Sequence, residues 1–215
     1  MVINHQHQFC YFAIPRTGSK ATTKLLVSEY GSKEILGLHA SWDDFQNIAS
    51  EEEKKYLSFC AVRNPLDSIV SRYFKIKTDH TGRFSRGTFL KTGKPVPDAA
   101  LERYRYITEN NLSFAEYFRR YHNEVIRMAR HEETIQNVSY IMRYEHLQQD
   151  LNKVLQILGL KPKPLPLHNV TAIRDSNFLQ YYTPDIIPQV KKVATPLMHK
   201  LGYAFPESWA NFSAL

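Results

Sequence analysis

Two apolar runs constrain this chain more than any other feature. Residues 9–14 (FCYFAI) and 57–62 (LSFCAV) carry almost no polar side chain. A strand with one face in water alternates apolar and polar positions. Runs like these suit strands buried on both faces, as in parallel sheets covered by helices. Turn chemistry follows each run, and a helical pattern follows the turn. After the first, residues 15–20 (PRTGSK) lead into a helix at 21–30 that Gly31 ends. After the second, Asn64 suits a helix cap, Pro65 the first helical position and Asp67 the first turn. A third strand is expected at 139–143, then a helix at 146–158 closed by Gly159. Strand, loop and helix in repeated alternation predict an α/β fold with a central, mainly parallel sheet and helices on both faces.

Other segments fill in around this frame. An apolar piece at 34–38 runs into His39, and Ser41 with Asp44 forms a capping-box signal for a helix carrying Phe45 and Ile48. Residues 77–98 hold three glycines, two prolines and several cations without sustained periodicity, and read as a long polar loop. Helices are expected at 99–108, 113–130 and 184–201, with KPKPLP breaking the chain between the last two. There is no internal repeat. At 215 residues, 43% hydrophobic and 13% aromatic, the chain can bury one sizeable core, so a single domain over 1–215 is expected.

Composition narrows the function classes. Lys and Arg number 28 against 21 Asp and Glu, a net charge of +7 spread along the chain. This favours an anionic partner without choosing among nucleotide, phosphate, sulfated sugar and nucleic acid. The two cysteines, Cys10 and Cys60, lie inside the apolar runs, which excludes a disulfide framework and a cysteine-based zinc site. No apolar run approaches the roughly 18 to 20 residues of a membrane span. The start, MVINHQHQF, lacks the features of a signal peptide, so a soluble cytoplasmic protein is expected. The four Asn-x-Ser/Thr sites (Asn111, Asn137, Asn169, Asn211) then read as chance.

The chemistry is expected where the strands hand over to helices, because parallel sheets bind ligands at the carboxyl ends of their strands. The first hand-over contains Arg16, Thr17, Gly18, Ser19, Lys20, Ala21 and Thr22. A glycine lets backbone approach a ligand, helix-start N–H groups point at it, and the side chains add hydroxyls and charge. This is a phosphate cradle, although not a Walker A loop. An ordinary turn with a solvated Arg and Lys fits the same letters. The second hand-over carries Arg63, with Ser71 two turns into the following helix. An Arg fork with a hydroxyl can hold a second phosphate, and a surface Arg beside a capped helix is the plainer reading. His39 alone also fits a core or capping histidine beside Ser41.

Taken together, P-R-T-G-S-x-A-T at 15–22 and V-R-N-P-x-D-x-x-x-S-x-Y at 62–73 resemble the nucleotide signatures of sulfotransferases that use 3′-phosphoadenosine 5′-phosphosulfate (PAPS). His39-Ala40-Ser41-Trp42-Asp43-Asp44-Phe45 is similar to a segment of heparan sulfate 2-O-sulfotransferase-like enzymes, in the carbohydrate branch. So are Arg143-Tyr144-Glu145-x-Leu147 with Asp150 and Leu158-Gly159-Leu160, Tyr181-Tyr182-Thr183-Pro184, and the closing Gly202-Tyr203-x-Phe205. The resemblance spans about residues 9–205. It implies a sheet of P-loop nucleotide-hydrolase-like topology, the loop 16–22 on the 5′-phosphosulfate, and Arg63 with Ser71 on the 3′-phosphate. Arg174 would add a further basic contact there. It implies His39 as general base toward an acceptor hydroxyl, on a sugar or glycan, with adenosine 3′,5′-bisphosphate as product and no metal. Arg16 stands where lysine is usual in the family, so either Arg16 or Lys20 serves the leaving phosphate. Arg is effectively never deprotonated, which leaves Arg16 an electrostatic role only.

Three other readings compete. A nucleotide kinase or related phosphotransferase lacks its Walker lysine and Mg²⁺ carboxylates here. A catalytically dead nucleotide- or glycan-binding module would bind PAPS without turnover. A nucleic-acid binder is allowed by the charge, but the strand-end loops lack an aromatic stacking pattern. His168, after the proline-rich break, is the one competitor to His39 as base.

Overall fold

The computed structural model describes residues 1–90, 92–166 and 175–213. Its strands are β1 (Val2–Asn4), β2 (Phe9–Phe12), β3 (Lys33–Glu34), β4 (Leu57–Val62) and β5 (Tyr140–Arg143). Its helices are α1 (Ser19–Tyr30), α2 (Trp42–Gln46), α3 (Pro65–Lys77), α4 (Arg83–Arg86), α5 (Asp98–Glu109), α6 (Phe114–Tyr121), α7 (Glu132–Asn137), α8 (Leu147–Ile157) and α9 (Ile187–Lys200). The chain divides into two units, Met1–Arg63 with Met128–Val170, and Asn64–Arg127 with Thr171–Leu215. No helix among the described residues is long and apolar enough to cross a membrane.

The first unit holds the sheet, in the order β3-β1-β2-β4-β5. The two apolar runs pair in parallel, with Tyr11 opposite Phe59, and β5 extends them in parallel, with Cys60 opposite Ile141. Successive side chains point to opposite faces. On one face Phe9, Tyr11, Phe59, Ala61 and Met142 pack with Leu25 and Leu26 of α1 and Leu151, Val154 and Leu155 of α8. On the other, the Phe12 ring meets Trp42 at 5.5 Å and Phe45 of α2 at 5.6 Å. Continuous apolar letters are therefore explained by helices on both faces of this sheet. Burial also pushes the thiols of Cys10 and Cys60 up to about 12, and both are free.

The antiparallel edge departs from the sequence reading. Residues 2–4 form β1, which turns through HQHQ and pairs antiparallel with β2, Val2 opposite Tyr11. Three residues are too few for periodicity to register. Side-chain anchors fix the strand instead: Asn4 Oδ1 accepts from the His7 amide at 2.8 Å, and Asn4 Nδ2 donates to the Tyr30 carbonyl at 2.6 Å. The apolar piece expected at 34–38 is not a buried strand. Only Lys33–Glu34 pairs, with β1, and Leu36 turns the chain at φ 58° while 42% exposed.

The second unit is helical. Asn64 caps α3 by accepting from the Leu66 amide at 2.9 Å. Leu66, Ile69, Val70, Tyr73 and Ile76 form the buried stripe of α3, in one cluster with Phe114, Tyr117 and Phe118 of α6 and Val190, Val193 and Ala194 of α9. The i, i+3, i+4 spacing makes that stripe. Residues 77–98 are more ordered than their composition suggests. Asp79 accepts the amides of Phe84 and Ser85 at 3.0 and 2.9 Å, which opens α4. Thr88 bridges Pro95, and Phe84 stacks on Tyr104 at 4.9 Å. The helix expected over 113–130 ends at Tyr121. His122 leaves the helical region (φ −131°, ψ 61°), and the Ile126 amide donates to the Val193 carbonyl at 2.9 Å instead of to its own chain segment.

Candidate active site

The loop between β2 and α1 is set by two residues with left-handed backbone, Arg16 at φ 69° and Gly18 at φ 74°. Left-handed geometry is free for glycine and costs other residues roughly 1–2 kcal/mol. The turn between them is closed by Thr17, whose hydroxyl donates to the Ile14 carbonyl at 2.8 Å. The Gly18 carbonyl then accepts from the amides of Ala21 and Thr22 at 2.9 and 3.1 Å. The N–H groups ahead of these lie at the open positive end of α1, where an anion is favoured. Thr17, Ser19, Ala21 and Thr22 are buried, and Lys20 is exposed. Beneath the loop the Tyr11 hydroxyl is wholly buried. Burial raises its pKa, and the Thr22 and Thr17 hydroxyls partly offset the rise.

Arg63 follows the end of β4 and is only 7% exposed. Its Nη1 donates to the Arg16 carbonyl at 3.1 Å, and its guanidinium carbon lies 4.0 Å from the centre of the Tyr144 ring. Tyr144 follows β5, so the ends of all three parallel strands meet through these side chains. Leu147 closes the same spot: a Cβ on Gly18 would lie 2.5 Å from Leu147 Cδ2 and 3.7 Å from Tyr144 ring carbons. Asp150 ties the block together, accepting from the Arg143 amide at 2.8 Å and pairing with Lys153 at 3.0 Å. Of the R-Y-E-x-L…D letters, Tyr144 and Leu147 thus pack beside the loop, and Asp150 holds the backbone of Arg143 that leads to them. That Tyr144 ties a strand end to its neighbours is the plain reading of its position in the sequence; which neighbours it meets was not legible, because only the parallel register puts residue 144 beside residues 16 and 63.

His39 lies beside the other end of the same loop. Its Nδ1 is 2.6 Å from the Ala13 carbonyl oxygen. A carbonyl only accepts, so Nδ1 carries the hydrogen and Nε2 keeps its lone pair. Burial holds the His39 pKa below the usual histidine value; the Ala13 contact opposes this, while the Met1 amino group, Lys20 and Arg130 push it down further. The segment is pinned from two sides. The Met1 amino group donates to the Gly37 carbonyl at 2.8 Å, and the predicted capping box is present, with Asp44 Oδ2 accepting from the Ser41 amide at 2.7 Å. Arg130 reaches Asp44 at 3.2 Å, and the Trp42 amide donates to Thr134 Oγ1 at 2.9 Å. A nearby second histidine, His131, is 8% exposed, and its pKa is lowered by burial and then by His39 and Arg130.

The first unit therefore brings together Arg16, Thr17, Gly18, Ser19, Lys20, Ala21, Thr22, His39 and Arg63. Ser71 is buried on α3 in the second unit. Arg174 and His168 lie outside the described residues. A hydrogen-bonded neutral imidazole beside a cation-flanked helix start can remove a proton from one group while holding negative charge on another.

The profile described as the sulfotransferase family matches residues 1–202, a span that runs through both units. No curated protein and no solved structure matches the chain.

Proposed function

The chain belongs to the sulfotransferase family, and we propose that it moves a sulfuryl group from PAPS to a hydroxyl of a saccharide acceptor, leaving adenosine 3′,5′-bisphosphate. The observation that carries this reading is the contact between His39 and Ala13 beside the loop 14–18. The contact holds the ring of His39, which we read as the base, at the edge of a phosphate-suited turn. We read the parallel β2–β4–β5 core as P-loop nucleotide-hydrolase-like, and the whole chain as one sulfotransferase domain.

When bound, PAPS supplies an electrophilic sulfur. The chain's own residues do the rest. His39 Nε2 takes the acceptor hydroxyl's proton as that oxygen attacks sulfur in line, and Nδ1 keeps its hydrogen on Ala13. The imidazolium so formed is stabilised by the carbonyl it donates to. On the leaving side the loop amides, Arg16 and Lys20 offset the charge that grows on the 5′-phosphate, which preorganised donors do without reorganising. Lys20 is the side chain of that pair able to release a proton to the bridging oxygen. Arg63 is assigned to the 3′-phosphate, with Ser71 and Arg174 added on the sequence motif alone.

Titration calorimetry with adenosine 3′,5′-bisphosphate, ADP and ATP tests the reading. The bisphosphate is expected to bind tightest and without Mg²⁺. Equal affinity for ADP, or tighter ATP binding helped by Mg²⁺, overturns it.

A further inference from the structure

The early end of α6 opens a cavity inside the second unit. Its volume is about 460 Å³, within the range of small-ligand sites. Four arginines line it: Arg72 from α3, Arg103 from α5, Arg120 from α6, and Arg127 from the non-helical segment after α6. Glu124 is the one carboxylate in the lining. None of the four arginines pairs with a described carboxylate. Concentrated unpaired cation in a concave wall focuses a positive potential on whatever enters. Arg103 Nε is buried without a hydrogen-bond partner among the described residues, a donor left for a ligand.

The aromatic faces argue about ligand type. Tyr121 already carries Arg103 at 4.7 Å and Arg120 at 5.8 Å, and Tyr106 carries Arg120 at 3.9 Å. Guanidinium groups already lie over the Tyr121 ring, the tyrosine of the lining, and this stacking holds the forks in place. Planar forks suit carboxylate and sulfate oxygens, whereas Glu124 and the His122 imidazole suit hydroxyls. We propose that this cavity binds an acidic saccharide, held through its sulfate or carboxylate groups by Arg72, Arg103, Arg120 and Arg127. The site stands on its own geometry; that its ligand is the acceptor rests on the reading given above.

His122 reports on occupancy. Burial first, then Arg72 and Arg103, hold its pKa down to about 4, with the Tyr117 hydroxyl 3.4 Å from Nε2 and the Phe118 ring stacked at 5.1 Å. An anion that neutralises those arginines should raise it. The experiment uses the full chain, histidine NMR titration and calorimetry, with sulfated maltohexaose, oligogalacturonate, plain maltohexaose, inorganic sulfate and adenosine 3′,5′-bisphosphate as probes. Expected is binding of one or both charged oligosaccharides with an upward shift of the His122 titration, and neither effect from maltohexaose. The first two probes separate sulfate from carboxylate recognition. Arg120→Ala with Arg127→Ala, both exposed positions, should weaken that binding at least about tenfold, as loss of charge-assisted contacts does. Arg103→Lys keeps the charge and should weaken it too. Unchanged binding in these variants, an unmoved His122, or inorganic sulfate or the bisphosphate shifting His122 as far overturns the proposal. If the bisphosphate fails to bind anywhere while the saccharide response persists, the PAPS reading falls and this site stands.

Discussion

Arg63 Nη1 donates to the carbonyl oxygen of Arg16 at 3.1 Å, so the residue that follows β4 holds the turn that follows β2. The contact joins two requirements. Arg16 keeps a left-handed backbone that its side chain disfavours, and a charged donor on its carbonyl helps maintain it. Stacked on Tyr144, Arg63 also keeps its cation buried and oriented.

Arg63→Ala should weaken adenosine 3′,5′-bisphosphate by about 10- to 150-fold, the worth of a lost charge-assisted contact. The loss for 5′-AMP should be much smaller, since that ligand has no 3′-phosphate. Tyr144→Leu removes the stack and leaves the charge, so it should weaken both ligands alike and modestly. Calorimetry on the two variants with the two nucleotides checks this. Equal weakening by Arg63→Ala would make Arg63 a support of the loop and no more.

His39→Ala should lower turnover by about 10²–10⁴-fold and leave bisphosphate affinity nearly unchanged. Transfer of labelled sulfate to a panel of sugars is the readout. The pH profile carries a sign. A base whose pKa lies below the usual 6.5 is deprotonated at neutral pH, so rate falls only as pH drops through that lowered value. Arg130→Gln removes one of the charges that depress it, and the acidic limb should move to higher pH. A profile that does not respond to Arg130→Gln counts against His39 as the titrating group.

How much of this was legible in the letters follows from how local each signal is. The 57–62 run gave β4 to the residue, and Asn64-Pro65 and Ser41…Asp44 gave two helix starts, because caps and buried strands are decided within a few residues. The β1 edge was missed because two of its anchors, Tyr30 and Ser32, lie 26 and 28 residues away from Asn4. The 113–130 helix was overdrawn because Ile126 bonds to Val193, a partner that no local pattern names. Within the candidate site, loop and base were visible as residue types. Their supports, Tyr144 against Arg63 and Leu147 against Gly18, depend on strand register and were not.

Gly18→Ala tests the loop itself. The backbone at φ 74° is strained for alanine whatever space surrounds it, and the new Cβ would also meet Leu147 Cδ2 at 2.5 Å. The Leu147 tip can move aside, so the backbone dominates, with a cost of roughly 1–2 kcal/mol. Denaturant unfolding should show that loss. Bisphosphate affinity should fall as well, since relaxing φ turns the helix-start amides away from the ligand. Gly31 is the control, also left-handed at φ 69° but with open space where a methyl group would stand. Gly31→Ala should cost similar stability and leave affinity alone.

The last prediction concerns acid stability. His122 titrates at about 4 in the folded chain against 6.5 when unfolded, owing first to burial and then to Arg72 and Arg103. Between those values the unfolded chain binds a proton that the folded one refuses, so stability falls as pH drops from about 6.5 toward 4. Each pKa unit is worth about 1.4 kcal/mol, so the full loss from this group approaches about 3 kcal/mol. His39 and His131 are shifted in the same direction and add to the slope. His122→Phe keeps a ring against Phe118 and cannot titrate. Denaturant unfolding at pH 7, 5.5 and 4.5 should therefore show a shallower decline in the variant than in the parent, with the remaining slope left to the other two histidines and, toward pH 4.5, to carboxylates held below their usual range such as Asp44, Asp79 and Asp150. Identical slopes would mean that His122 binds its proton as readily folded as unfolded.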